Sequence, residues 1–292
     1  MIKVSHEMPL CLLDDGTEKK VNDYFYALVH LFETHPKYYE YTVQAMKEGR
    51  DVILDNSAYE LNGQPFDSEN FAKWIRKLDT DSSGAATRRL TYIIPDVFDE
   101  MEETYSRTEE FLSNYPHLPG YAMSVCQGKT IEELSTIFIN YRHTPGLWKI
   151  GVNFMSKAYL DFFEKAFGYV PPDPWLARSY GRKYFLEYLY HTGAANAGKV
   201  IHLLGCAVPG EFRYYTIEHP ALASIIESLD TSAPVIQGIF SESLYSIKDE
   251  LTLTKMPQKL AEHLGIELSD IQKLRVIHNS ALFRVYNGCK RI

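Results

Sequence analysis

Three aspartates, one glutamine and two glycines recur at equivalent places in this 292-residue chain. Asp55, Asp96, Gln127, Gly151, Gly205 and Asp230 each close, or directly follow, a short apolar run rich in β-forming residues. Aspartate is disfavoured inside strands and costly to bury unpaired, so three at strand ends need a reason. A modest one is helix capping, because each aspartate taken alone is as readily the N-cap of the following helix as a reactive group. Gathered with Gln127 on one rim they could do more. One carboxylate can attack an anomeric carbon while a second trades a proton with the leaving group, which is glycosidic-bond chemistry.

The elements that would position these residues are DVILD at 51–55, TYIIPD at 91–96, YAMSVCQG at 121–128, LWKIGV at 147–152, KVIHLLG at 199–205 and SIIESLD at 224–230. Their length and content predict buried strands. Helical stretches separate them: DSENFAKWIRKL at 67–78, DEMEETYSRTEEFLSNY at 99–115 and TIEELSTIFINY at 130–141. The last opens on Thr130 and Glu133, the spacing of a capping box. Strand alternating with helix implies parallel βαβ units, and neither GxGxxG after the first strand nor GxxxxGK[ST] occurs. The expected fold is α/β, a (β/α)8 TIM-type barrel forming one domain over residues 1–292, with chemistry at the C-terminal strand ends. MIKVSH at 1–6 and PVIQGI at 234–239 are expected to supply the remaining strands. The long unit between Gly151 and Gly205 contains PPDPW at 171–175 and a Tyr-rich helix, and reads as an insertion around 170–195 near the substrate mouth.

In order along the chain, these segments resemble the tRNA-guanine transglycosylases and their phage and bacterial relatives that insert 7-deazaguanines into DNA. Leu54-Asp55-Asn56-Ser57-Ala58-Tyr59-Glu60 looks like the loop that carries the acid/base aspartate and an aromatic that stacks on the base. Pro95-Asp96 and Ser124-Val125-Cys126-Gln127-Gly128 resemble the two segments that read the guanine edge. Lys149-Ile150-Gly151 and His202-Leu203-Leu204-Gly205 are similar to the family's A-I-G-G and Y-L-M-G strands. Glu227-Ser228-Leu229-Asp230 is similar to the segment whose second aspartate attacks the sugar. The resemblance spans residues 50–235 and implies a pentosyltransferase with Asp230 as nucleophile and Asp55 as acid/base. It implies Asp96, Gln127 and Tyr59 as base contacts, and Gly205 and Gly151 as backbone that a base can approach. The implied partners are DNA or tRNA and a purine or 7-deazaguanine base, with no cofactor; a homodimer or a partner protein stays open. Two departures stand out: Asn56-Ser57-Ala58 replaces a glycine-rich turn, and the cysteine-rich zinc segment expected after Asp230 is missing. Without a zinc subdomain, DNA is favoured over tRNA.

The remaining composition narrows the classes. A net charge of −8 disfavours a wholly basic nucleic-acid surface but leaves room for a local strip, for which Arg178, Arg182 and Lys183 are the weak candidates. A charged helix face is the commoner role for such residues. Cys11, Cys126, Cys206 and Cys289 form no CxxC pair and are expected to be free thiols, with no metal. Cys126 and Cys206 read as small core residues, and His202 as a packing residue facing the helices. Glu60 supports the loop or faces solvent. With no run of about 18 apolar residues and no secretory layout at the N-terminus, a cytoplasmic protein is expected, in the host cytoplasm if phage-encoded, with no membrane partner. Three functions remain open: base exchange in a polynucleotide, hydrolysis of a nucleoside by the same carboxylate pair, and a barrel that binds nucleotides without chemistry.

Overall fold

Eight short strands, all in parallel pairings, answer to the apolar runs: β1 (Lys3–Ser5), β2 (Phe25–Leu28), β3 (Val52–Asp55), β4 (Leu90–Ile93), β5 (Tyr121–Cys126), β6 (Leu147–Val152), β7 (Val200–Leu203) and β8 (Ile226–Asp230). The structure is a computed structural model and describes residues 1–58, 66–169, 173–195, 198–206, 208–241 and 259–286. The strand order β1-β8-β7-β6-β5-β4-β3-β2, with helices in the connections, is that of a (β/α)8 barrel. Strands β2, β3 and β4 are buried at every residue, as expected where both faces of a parallel sheet are covered.

Contacts divide the chain into two compact units. One, residues 24–152 with 198–200, holds β2 to β6 and four long helices: α1 (Pro36–Lys47), α2 (Ser68–Asp81), α3 (Met101–Asn114) and α4 (Ile131–His143). Helix α2 buries Phe71, Ala72, Ile75 and Leu78, one apolar stripe at helical spacing, and Asp67 caps it by accepting from the Asn70 N–H at 2.9 Å. Thr130 caps α4 as expected, accepting from the Glu133 N–H at 3.1 Å. The return bond of the capping box reaches one residue further back, from the Lys129 N–H to Glu133.

The other unit, residues 1–23, 153–197 and 201–292, holds β1, most of β7, β8 and helices α5 (Lys157–Phe167), α6 (Pro174–His191), α7 (Ala233–Phe240) and α8 (Asp270–Tyr286). The expected insertion around 170–195 is α6, which packs on α5 where Gly181 lets the backbone of Tyr159 approach. Two sequence expectations need correcting. PVIQGI at 234–239 is helix, not strand, because Pro234 sits in the first turn, where its missing N–H costs nothing. The strand it was expected to supply is Phe25–Leu28, an apolar run too short to separate from its surroundings by periodicity.

Candidate functional site

In the unit built on β2 to β6, Asp55 ends β3 with 9% of its surface exposed. The Tyr26 hydroxyl donates to its Oδ2 and the Ser57 N–H to its Oδ1, both at 2.5 Å. The second bond belongs to a tight turn in which Ser57 takes a φ of +62°, the left-handed region a glycine would occupy without strain. Asn56, which stands where a glycine-rich turn was expected, bridges two strand ends. Its Nδ2 donates to the Ile94 carbonyl at 2.9 Å and to Asp96 Oδ1 at 2.8 Å. Gln127, fully buried after β5, donates from Nε2 to Asp96 Oδ2 at 2.5 Å and accepts at Oε1 from the Asp99 N–H at 3.2 Å. Both oxygens of Asp96 are therefore held by carboxamides. Burial nonetheless pushes its carboxyl above the usual range, against the opposing pull of those two donors.

In the unit containing β7 and β8, Asp230 ends β8 and is 5% exposed. Among the described residues its carboxylate caps no helix; Thr231 Oγ1 accepts from the Ala233 N–H at the start of α7 instead. The Gly205 N–H faces both Asp230 oxygens, at 3.2 and 3.1 Å, and His202 Nε2 lies 3.2 Å from Oδ1. The other ring nitrogen of His202 is 2.8 Å from Ser228 Oγ. His202 thus turns both ring nitrogens toward polar groups of β8, one of them Asp230, which corrects the packing role expected of it. Gly205 has a φ of +65°, and its N–H is taken by Asp230.

The weak phosphate candidates are placed differently. Arg182 has no exposed surface and forms a two-pronged ion pair with Glu211, Nε to Oε1 at 2.5 Å and Nη2 to Oε2 at 3.0 Å. A guanidinium so committed cannot grip a phosphate, and that expectation is withdrawn for Arg182. Lys183 lies over the rings of Tyr180 and Tyr214, and burial lowers its pKa. Arg178 lies over Trp175, which stacks on Phe154. Gly151 is buried in β6 opposite Val125. Tyr59, Glu60 and Cys289 lie outside the described residues. Cys126 and Cys206 are buried, and burial pushes both thiols up, away from nucleophilic use.

Sequence reasoning missed Tyr26, because its strand was not recognised. It missed His202 because strand facing is a property of register, which the sequence alone leaves open. Among the described residues no three His, Cys, Asp or Glu side chains gather in a metal-binding group, and no helix is long and apolar enough to cross a membrane.

No family model matches the chain, and no curated protein does. Among solved structures it is similar to active domain 2 of a chitinase from Pyrococcus furiosus, at 12% identity and a TM-score of 0.41 over 87% of this chain and 79% of that one. It is also similar to a malate synthase from Haloferax volcanii, at 10% identity and a TM-score of 0.39 over 98% and 90% of the two chains. Likeness this remote carries no argument about chemistry.

Proposed function

We propose that the chain is a base-exchange transglycosylase that replaces guanine with a 7-deazaguanine in a polynucleotide, DNA in preference to tRNA, through an aspartyl–sugar intermediate. The observation that carries this reading is the setting of Asp230: a nearly buried strand-end carboxylate oriented by a backbone N–H and a histidine and spent on no helix cap. Asp230 attacks C1′, the bond from C1′ to the base breaks, and the departing base takes a proton. The incoming base then loses its proton, its nitrogen bonds to C1′, and Asp230 is released unchanged. Asp96 and Gln127 are assigned to the polar edge of the base, and a target within a duplex would first be flipped out.

Asp55 is assigned the proton transfers, and its surroundings refine that role. The Tyr26 hydroxyl and the Ser57 N–H both donate to it and fix its direction, which suits a group that takes a proton from the incoming base. The first proton, to the departing base, asks for a carboxyl that holds hydrogen near neutrality. Asp96, whose carboxyl is pushed upward by burial, is the second group that could supply it. A second reading therefore keeps the exchange but gives the acid step to Asp96. Incubating the protein with DNA or tRNA and a labelled 7-deazaguanine separates exchange from hydrolysis. Label entering the polymer supports exchange; free guanine released without incorporation makes the enzyme a nucleosidase, and neither event leaves a binding protein.

A further inference from the structure

We propose that the buried Arg182–Glu211 ion pair is a positioning device that aims the Gly205 N–H at the Asp230 carboxylate. This rests on the reading of Asp230 as the nucleophile.

The connection runs through one peptide unit. Arg182 Nη1 donates to the Leu204 carbonyl at 2.7 Å, and the N–H of that same peptide belongs to Gly205, which faces both Asp230 oxygens. Carbonyl and N–H of a trans peptide point in opposite directions, so a donor that fixes one fixes the other. Polarising the carbonyl also strengthens the N–H as a donor. Arg182 can hold this direction because it is itself held. Glu211, from the short helix Pro209–Arg213, takes two of its nitrogens, and the Tyr215 hydroxyl donates to Glu211 Oε1 at 2.8 Å. The Phe154 ring lies 4.7 Å from the guanidinium carbon. Gly205, at φ +65°, adopts the backbone conformation this peptide orientation requires, one that residues bearing side chains rarely take. A fully buried ion pair is a weak source of stability, since hydrophobic replacements often match it. Its cost is better explained by a geometric task.

The test uses two variants. Arg182→Lys keeps the charge but loses the fork that spans Glu211 and Leu204, and the double variant Arg182→Met with Glu211→Met removes the pair without leaving a buried charge behind. Each is first shown to be folded by its cooperative urea transition. The first readout needs no catalysis. Labelling leucine carbonyl carbon and glycine nitrogen selects only the peptides Leu204–Gly205 and Leu264–Gly265. In the unaltered protein the Gly205 amide shift should titrate with Asp230 and lose that titration in Asp230→Asn. In both folded variants its amplitude should fall at least twofold. The second readout is single-turnover formation of the adduct on DNA, which should slow by about 10- to 100-fold with KM little changed, the size expected when a reacting group is misaimed. Folded variants with the unaltered Gly205 titration would overturn the proposal, as would an unchanged adduct rate. If the unaltered protein forms no adduct with any polynucleotide, the transglycosylase reading fails, while the amide titration still decides whether the ion pair aims Gly205.

Discussion

Donor geometry at Asp230 distinguishes its two oxygens. Among the described residues Oδ1 faces both His202 and the Gly205 N–H, whereas Oδ2 faces only the Gly205 N–H and keeps more of its lone-pair directions for attack. Asp230→Asn should abolish the covalent adduct in a denaturing-gel assay while leaving polynucleotide binding in place, since an amide cannot attack C1′. Asp55→Asn and Asp96→Asn should then separate the proton steps. Loss of the acid should slow departure of the base by roughly 10²- to 10⁴-fold and remove one limb of the pH profile. If that limb vanishes with Asp96→Asn and not with Asp55→Asn, the acid step belongs to Asp96. A change in which base is accepted should also accompany Asp96→Asn, because an acceptor becomes a donor. A second residue-scale effect concerns stability. Burial holds His6 neutral in the folded protein, with its pKa lowered to about 4 from 6.5. Between those values the unfolded chain binds the extra proton, so stability is present above pH 6.5 and is lost as pH falls toward 4. The loss is about 3 kcal/mol for this one group at 1.36 kcal/mol per pH unit. His6→Gln should flatten the acid limb of urea-derived stability over that window; an unchanged slope would show that other groups carry it.

At the scale of elements, the most instructive segment is PVIQGI. Periodicity does not separate its apolar run from a strand; Pro234 in the first turn, the Thr231 hydroxyl accepting from the Ala233 N–H just before it and α8 packed on its face make it α7. Strand ends were legible because aspartate and glycine punctuate an apolar run, and this placed Asp55, Asp96, Gln127 and Asp230 correctly at or just after β3, β4, β5 and β8. Partnership was not legible. Asn56 bridging to Asp96, or Arg182 closing on Glu211 from 29 residues away, depends on how elements pack and leaves no local pattern. Gly238 tests such packing directly. A Cβ there would stand 2.7 Å from the Val276 backbone nitrogen on α8. Alanine gains about 1 kcal/mol over glycine in an open helix, yet overpacking costs roughly 1–3 kcal/mol. Gly238→Ala should therefore destabilise the protein by up to about 2 kcal/mol in urea, reversing the usual sign. A stabilised variant would mean that α7 and α8 part without cost.

On the scale of the whole chain, residues far apart in sequence are tied together by one side chain near the end of α8. Arg284, with its guanidinium almost wholly buried, donates from Nε and Nη2 to the Val21 carbonyl at 3.0 and 2.6 Å, and from Nη2 to the Val4 carbonyl at 3.2 Å. Its Nη1 pairs with Asp23 Oδ2 at 3.0 Å, and Asp23 in turn accepts from the Val4 N–H at 2.9 Å. A single cation thus satisfies backbone groups of β1 and of the segment leading to β2, more than 260 residues earlier in the chain. Arg284→Met keeps much of the aliphatic volume but takes both guanidinium donors from the Val21 carbonyl, while the Val4 carbonyl keeps the Asp23 N–H at 2.9 Å. Each buried group left unsatisfied costs about 1–3 kcal/mol, while Asp23, partly exposed, can turn to water. The variant should lose about 1–3 kcal/mol in urea denaturation, chiefly from the Val21 carbonyl. Native-state hydrogen exchange should localise the loss, with protection falling first at the Val4 and Asp23 amides, both of which bond within this cluster. Unchanged stability with intact protection at Val4 would show that α8 merely lies over the N-terminal segment and does not hold it.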